Sequence, residues 1–325
     1  MSLRRLLPPS FVLLLVLSAC AGGAANPSGS DGPDPSTGAP GGGSGGDGDG
    51  IQHPTGADEA ILVIDSEGGF VPVDFMATRL PSFVLLGDGR VIMQGVQTLE
   101  FPGPLLPPMI ERRLTEAGIQ EILSAVEDTN LFTADAEYRG AAGVVADAAD
   151  TVFHVNAGGI GSTIKVYALG LLSPDMGEMP GVTPGELEAH RQLQALNDAL
   201  MLLDDNLDPG GFADDGWQPY QPAGFRLYVR DVTDQPIDGG EVPEQVREWP
   251  IDGDPAAFGE EQPLFSDGTR CAVVTGADAE TWLAELSAAT QMTRWTDDGE
   301  RRFSIAARPL LPHDEAICPE LGGGA

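Results

Sequence analysis

Two apolar runs, Phe83 to Leu86 and Arg90 to Gln94, flank Gly87, Asp88 and Gly89. Asp-Gly between such runs predicts a β-hairpin, because these residues accept the positive φ that a tight turn needs. The period then changes: Ile119, Ile122, Leu123 and Val126 recur at i, i+3, i+4 and i+7, which predicts a helix over 115–130 with one apolar face. The same order follows again. Thr151 to Val155 and Thr163 to Tyr167 flank "NAGGIGS", and a second helix opens at Thr183, Pro184 and Glu186. There Thr183 can cap, Pro184 suits the first helical position and Glu186 completes a capping box. Leu193, Leu196, Leu200 and Leu203 form its buried stripe before "DPGG" stops it.

A further module begins at Phe225. "FRLYVRDV" alternates Phe225, Leu227 and Val229 with Arg226, Tyr228 and Arg230, as a strand with one buried and one wet face does. "CAVVTG" predicts another strand, Asp278 a helix cap before Trp282, Leu283 and Leu286, and "TRWTDDGERRFSIAARPL" a closing hairpin around Asp298 and Gly299. Hairpins between paired strands, with helices following, predict the α+β class: two modules, each an antiparallel sheet with helices packed on one face. The expected boundaries are an α+β domain over 58–207 in the order ββαββα, a linker over 208–222 and a smaller α+β domain over 223–320. The stretches "FVLLGDGRVIMQG", "LTEAGIQEILSAVEDTNLF" and "TIKVYALG" resemble those of uncharacterised exported bacterial domains that pair a β-hairpin with such a helix. The resemblance implies fold and export and brings no activity with it.

The chain opens with Arg4 and Arg5 ahead of an apolar run, Phe11 to Leu17, far shorter than a bilayer span. Leu17, Ser18, Ala19 and Cys20 resemble the lipobox of bacterial lipoproteins. That resemblance implies a signal peptide over 1–19, a mature chain starting at Cys20, lipid on its thiol, and a membrane partner engaged through that lipid at the extracytoplasmic face. The alternative from the same residues is a secreted protein cleaved after Ala19 or Ala21. From 20 to 57 the chain is rich in Gly, Ser, Pro and Asp, which predicts a tether with too little apolar surface to fold.

Charge narrows the partners. With 17 basic against 50 acidic residues the formal net charge is −33, and Lys165 is the sole lysine. Such a field repels nucleic acid and anionic headgroups. With Cys20 assigned to lipid, Cys271 and Cys318 remain as an even pair in an exported chain, which predicts one disulfide; neither CxxC nor a neighbouring histidine pattern favours a redox or metal pair.

Candidate chemistry is sparse. The glycines of "AGGIGS" lead into another strand-like run, so they predict a hairpin loop and not a phosphate cradle. Asp204, Asn206 and Asp208 have the spacing of the first calcium-loop ligands and Asp215 falls twelfth, but Pro209 replaces the loop glycine and an aspartate the usual glutamate. An acidic helix end explains the same residues, so calcium stays open there. His53, His154, His190 and His313 make no HExxH or i, i+4 pair. No catalytic residue, metal ligand or cofactor is assigned. Trp217, Tyr220 and Trp249, in Pro-rich loops near the module junction, are candidate binding anchors or the apolar seal between modules. The expected function is a non-catalytic binding or envelope-assembly module with an envelope protein partner; the rival is an envelope hydrolase whose site lacks a sequence motif.

Overall fold

The computed structural model describes residues 50–172, 180–235, 245–263, 265–297 and 299–319. Cys20, the expected signal peptide over 1–19, the part of the expected tether up to residue 49 and Asp298 lie outside the described residues. The chain begins with β1 (Ala60–Gly68), a short helix α1 (Val73–Thr78), the hairpin β2 (Phe83–Leu86) and β3 (Arg90–Gln94), and β4 (Met109–Arg113). Helix α2 (Glu116–Asp128) is followed by β5 (Ala136–Tyr138), the hairpin β6 (Ala149–Ala157) and β7 (Ile160–Tyr167), α3 (Pro184–Met201) and one turn, α4 (Leu203–Asn206). The second half runs β8 (Gln218–Pro219), β9 (Gly224–Asp231), β10 (Gln245–Glu248), β11 (Glu260–Glu261), β12 (Arg270–Thr275), α5 (Gly276–Ser287), β13 (Thr293–Asp297) and β14 (Arg301–Pro309).

Two sheets result, ordered β5-β7-β6-β1-β2-β3-β4-β8 and β10-β13-β14-β9-β12-β11. The α+β class holds. Both sheets are mixed, because edge strand β5 runs parallel to β7 and edge strand β10 parallel to β13. The β2–β3 hairpin turns at Gly89, at φ 84°. The β6–β7 turn places Gly158 at φ 66° and Gly159 at φ 75°, so the "AGGIGS" glycines serve a hairpin.

On one face of the first sheet, Ile119, Ile122, Leu123 and Val126 of α2 and Leu193, Leu196 and Leu200 of α3 pack on Leu62, Ile64, Phe83, Leu85, Phe153 and Ile164. Thr115 caps α2 by accepting from Gly118 N at 3.3 Å, and Thr183 caps α3 by accepting from Glu186 N at 3.2 Å. The capping box is only half formed: the Glu186 carboxylate accepts from Gly140 N and so ties α3 to the preceding loop. Gly118 marks a close approach, since a Cβ there would lie 2.2 Å from the Gly211 carbonyl oxygen.

That contact corrects the linker. Residues 208–222 are built into the first sheet: Thr115 N donates to Gly211 O at 2.8 Å, Ala213 N to Arg113 O at 2.9 Å, and β8 pairs with β4. The tether likewise ends before 57. Ile51 N donates to Gln120 Oε1 at 2.7 Å, and Gly158 N to Gln52 O at 2.6 Å. The two modules, each a sheet with its own helices, belong to one compact unit, Asp49–Ala325.

On the second sheet, α5 covers Phe225, Leu227, Val229, Trp295, Phe303 and Ile305 with Trp282 and Leu286. The cap of α5 is Thr275, and Asp278 lies inside its first turn, favourably placed against the helix dipole. The opposite face is also covered, against expectation. Helix α1 crosses from the first half of the chain and sets Ala77 beside Tyr228, Phe265 and the disulfide, so Arg226 and Tyr228 are buried although they alternate as outward residues. Cys271 and Cys318 are bonded as expected, with Cα atoms 6.0 Å apart.

His190 on α3 is buried, and neither ring nitrogen has a partner among the described residues. Burial pushes its pKa below the usual 6.5, against the pull of Glu186, and burial does the same to His313. A depressed histidine pKa means the unfolded chain takes the proton first, so stability is full above about pH 6.5 and falls as pH drops toward the folded values. Urea midpoints at pH 7 and pH 5 are expected to differ less in H190L than in the wild type, with His313 supplying the remainder. An unchanged difference in H190L would overturn this.

Candidate functional site

Strand alternation puts the core residues of β9, β13 and β14 toward α5, and everything between them on the other face. Five arginines fall there: Arg226 and Arg230 on β9, Arg294 on β13, Arg302 and Arg308 on β14. In a chain with 17 cations this is a concentration on one face of one sheet.

Four of the five have partners. Arg308 makes a two-pronged pair with Asp314 at 2.6 and 3.1 Å and donates to Arg79 O at 2.9 Å. Arg226 Nε donates to Ile317 O at 2.8 Å, beneath the segment that the disulfide holds. Arg230 pairs with Asp74 of α1 and with Asp267, both at 2.7 Å. Arg302 donates to Thr296 Oγ1 and to Gly299 O, each at 2.9 Å. Arg294 makes no hydrogen bond or ion pair among the described residues.

Between α1 and this face lies a cleft of about 450 Å³ lined by Asp74, Phe75 and Thr78 of α1, Leu105, Tyr228, Arg230, Gln291, Arg294 and Ser304. The Tyr228 hydroxyl is raised by burial, near the charge of Arg226 but without a hydrogen bond of acceptable geometry. Burial pushes the Asp65 carboxyl up against the backbone hydrogen bond of Ser66 and the charges of Arg308 and Arg79. Burial also opposes ionisation of Asp314, yet hydrogen bonds and the charge of Arg308 hold it below the usual carboxylate range.

Phe75 of the cleft is one of a set of exposed apolar side chains. β1 ends, β2 begins, β3 ends and β4 begins at one end of the first sheet, with Ile64 opposite Phe83, Phe83 opposite Met93, and Gln94 opposite Met109. The two connections made there carry Phe70, Phe75 and Met76 on one side and Val96, Leu99 and Phe101 on the other, all exposed; Leu99 is fully so and Val96 is 95 % exposed. The Gln94 side-chain amide donates to Leu80 O at 3.0 Å, holding the two connections together. Val144 and Leu171 leave the sheet at the same end, since Asp150 lies opposite both Glu67 and Tyr167. Eight of the eleven large apolar side chains exposed among the described residues thus belong to one end of one sheet. Soluble surfaces rarely gather apolar groups this way without a use for them.

The three aromatic candidates are not brought together. Tyr220 is buried where the halves meet: its hydroxyl donates to Leu310 O at 2.8 Å, Leu311 packs beside it, and burial pushes its pKa up to about 12. Trp249 belongs to the second core, edge-on to Trp282 at 5.0 Å and to Phe258 at 5.2 Å. Trp217 packs against the first core and donates to Asp204 Oδ2 at 2.9 Å. Of the calcium-like residues, Asp204 pairs with Arg112 and Asn206 bonds back to Leu202 O at 2.8 Å; Arg112 also pairs with Asp214. Among the described residues no three His, Cys, Asp or Glu side chains converge as metal ligands do. The chain contains the literal spacing Ser162-x-x-Lys165, but β7 is a strand, so the two point to opposite faces; Ser162 is buried and Lys165 pairs with Glu67 at 2.5 Å.

The cleft and crest escaped the linear reading. A signal was present in "RLYVR" and "RFSIAAR", whose arginines share one strand parity, and in the exposed-type apolars of "GVQTLEFPG" inside loops. No helix among the described residues is long and apolar enough to cross a membrane. Compared with known proteins, the chain matches no family model, no curated protein and no solved structure.

Proposed function

We propose that this chain is a lipid-anchored, extracytoplasmic binding module that docks an envelope protein through the apolar crest and the cleft beneath it, without catalysing a reaction on its partner. The observation that carries this reading is the gathering of eight exposed apolar side chains at one end of the first sheet. A protein partner is favoured over a bilayer on two grounds. The described chain enters at the opposite end, where Ile51 and Gln52 bond to α2 and to the β6–β7 turn; nine residues of β1 separate the two ends by about 30 Å. The net charge of −33 also repels anionic headgroups.

The test is photocrosslinking of the membrane-attached protein, at native salt, from a reactive residue at position 99 or 70, with position 202 as an exposed control. One reproducible protein adduct from 99 and 70, absent from 202 and lost in L99E/F101E, is the expected result. Adducts in proportion to abundance from all three positions would overturn the reading. Because the residues changed are exposed, the fold is expected to survive, which thermal melts verify.

A further inference from the structure

We infer that the segment from Leu310 to Ile317 is an acid-opened strap, with His313 as its trigger, whose closure holds α1 in place. Both ends of the strap are fixed: β14 stops at Pro309, and Cys318 is bonded to Cys271 of β12. Between those ends it crosses to the first sheet. There Leu311 packs with Val63, Leu80 and Val84, and the Tyr220 hydroxyl donates to Leu310 O at 2.8 Å. Opening is bounded by the disulfide, so the strap can lift and return.

The strap lands on charges drawn from several elements. Val63 lies opposite His154, so His154 of β6 shares a face of the sheet with Val63 and, two residues on, with Asp65. Asp65, His154 and Arg308 of β14 act on the His313 ring together with its neighbour Asp314, and Arg79, just after α1, acts on Asp65. With both histidines neutral, Arg79 and Arg308 are balanced by Asp65 and Asp314. Protonating the two rings sets four cations against two carboxylates. The Nδ1 atom of His313 is also buried without a hydrogen-bond partner among the described residues, so the imidazolium would carry a buried donor with no acceptor.

Burial holds the His313 ring below the usual 6.5, against the pull of Asp314 and Asp65. The open strap therefore takes the proton first: closure is favoured fully above about pH 6.5 and less as pH falls toward the closed-state value. Asp65, raised by burial, has the opposite sign and acts nearer the carboxylate range.

One arginine carries the effect to α1. Asp314 holds Arg308 at 2.6 and 3.1 Å, and Arg308 Nε donates at 2.9 Å to the carbonyl of Arg79. The Arg79 guanidinium in turn donates to Ser66 O at 2.7 Å and to Gly68 O at 2.9 Å. Lifting Asp314 frees Arg308, and with it the end of α1, which carries Phe75 and Met76 of the crest.

Hydrogen exchange read by mass spectrometry on the full chain in detergent, as protection factors corrected for the intrinsic effect of pH, tests this. It needs no partner, so the strap and the docking reading stand or fall separately. Between pH 7 and pH 5, protection over 311–317 and 73–79 is expected to fall together by roughly threefold or more, while β9 and β14 keep theirs. In H313Q and H313N the fall is expected to disappear, with circular dichroism verifying the fold. Imidazole proton resonances give a second readout: the one missing from H313Q should titrate below pH 6.5 in the wild type. No fall, a fall that persists in both variants, a fall shared by β9 and β14, a fall in the strap that leaves 73–79 unmoved, or titration of His313 at or above 6.5 would each overturn the inference.

Discussion

Trp282→Ala is expected to lose about 3–5 kcal/mol of unfolding free energy, the cost of truncating a fully buried aromatic side chain. Trp282 is 0 % exposed and central to the second core, with the Trp249 ring 5.0 Å away and the Trp295 ring 6.2 Å away. Single domains are stable by only ~5–15 kcal/mol, so the loss is a large fraction of the total. Trp282→Phe should lose much less, for two reasons. It keeps an aromatic ring against Trp249, and it removes an indole N–H that has no hydrogen-bond partner among the described residues. Urea unfolding followed by circular dichroism checks both. Equal midpoints for the alanine variant and the wild type would mean that this cluster does not hold the second sheet together.

Removing the disulfide, in C271S/C318S, is expected to cost about 4 kcal/mol in the chain-entropy account, given a sequence separation of 47 residues. The position of the bridge makes the effect more than a matter of loop closure. Cys318 pins the final described segment across β9, where Ile317 O accepts from Arg226 and Asp314 pairs with Arg308. Tyr228 and Phe265 pack against the two cysteines and would lose part of their cover. A reductant should lower the wild-type urea midpoint by a comparable amount and leave C271S/C318S unmoved. Coincident midpoints for the two proteins would show that the segment holds its place without the covalent link.

The elements that local chemistry controls are those legible along the chain. Phe83–Leu86 and Arg90–Gln94 appear as strands with the expected ends, because an Asp-Gly turn and an apolar run act within a few residues. α2 and α3 follow from their apolar stripes and threonine caps. What stayed hidden depends on distant partners. β1 is buried over the consecutive residues Ile61 to Ile64 between β2 and β6, and so lacks the alternation that marks a half-wet strand. β5, β8, β10 and β11 are edge strands of two to four residues whose hydrogen bonds exist only once a neighbour is in place. Gly118 in "EAGIQ" shows its purpose only when Gly211, 93 positions later, comes to lie against it.

The candidate site divides along the same line. The acidic excess, the pairing of Cys271 with Cys318 and the α+β class were determined by the sequence itself, through composition, residue count and period, none of which needs a third dimension. The cleft was decided only by tertiary structure. Strand parity puts five arginines on one face, but the partners they find depend on α1 arriving from 150 or so residues upstream with Asp74 for Arg230. The crest is similar: its apolar residues are scattered over two connections in sequence, and antiparallel pairing of β1 to β4 brings those connections to one end. Charge neutralisation and contiguity are properties of positions in space, and a chain read in order contains the residues without the neighbours that give them a role.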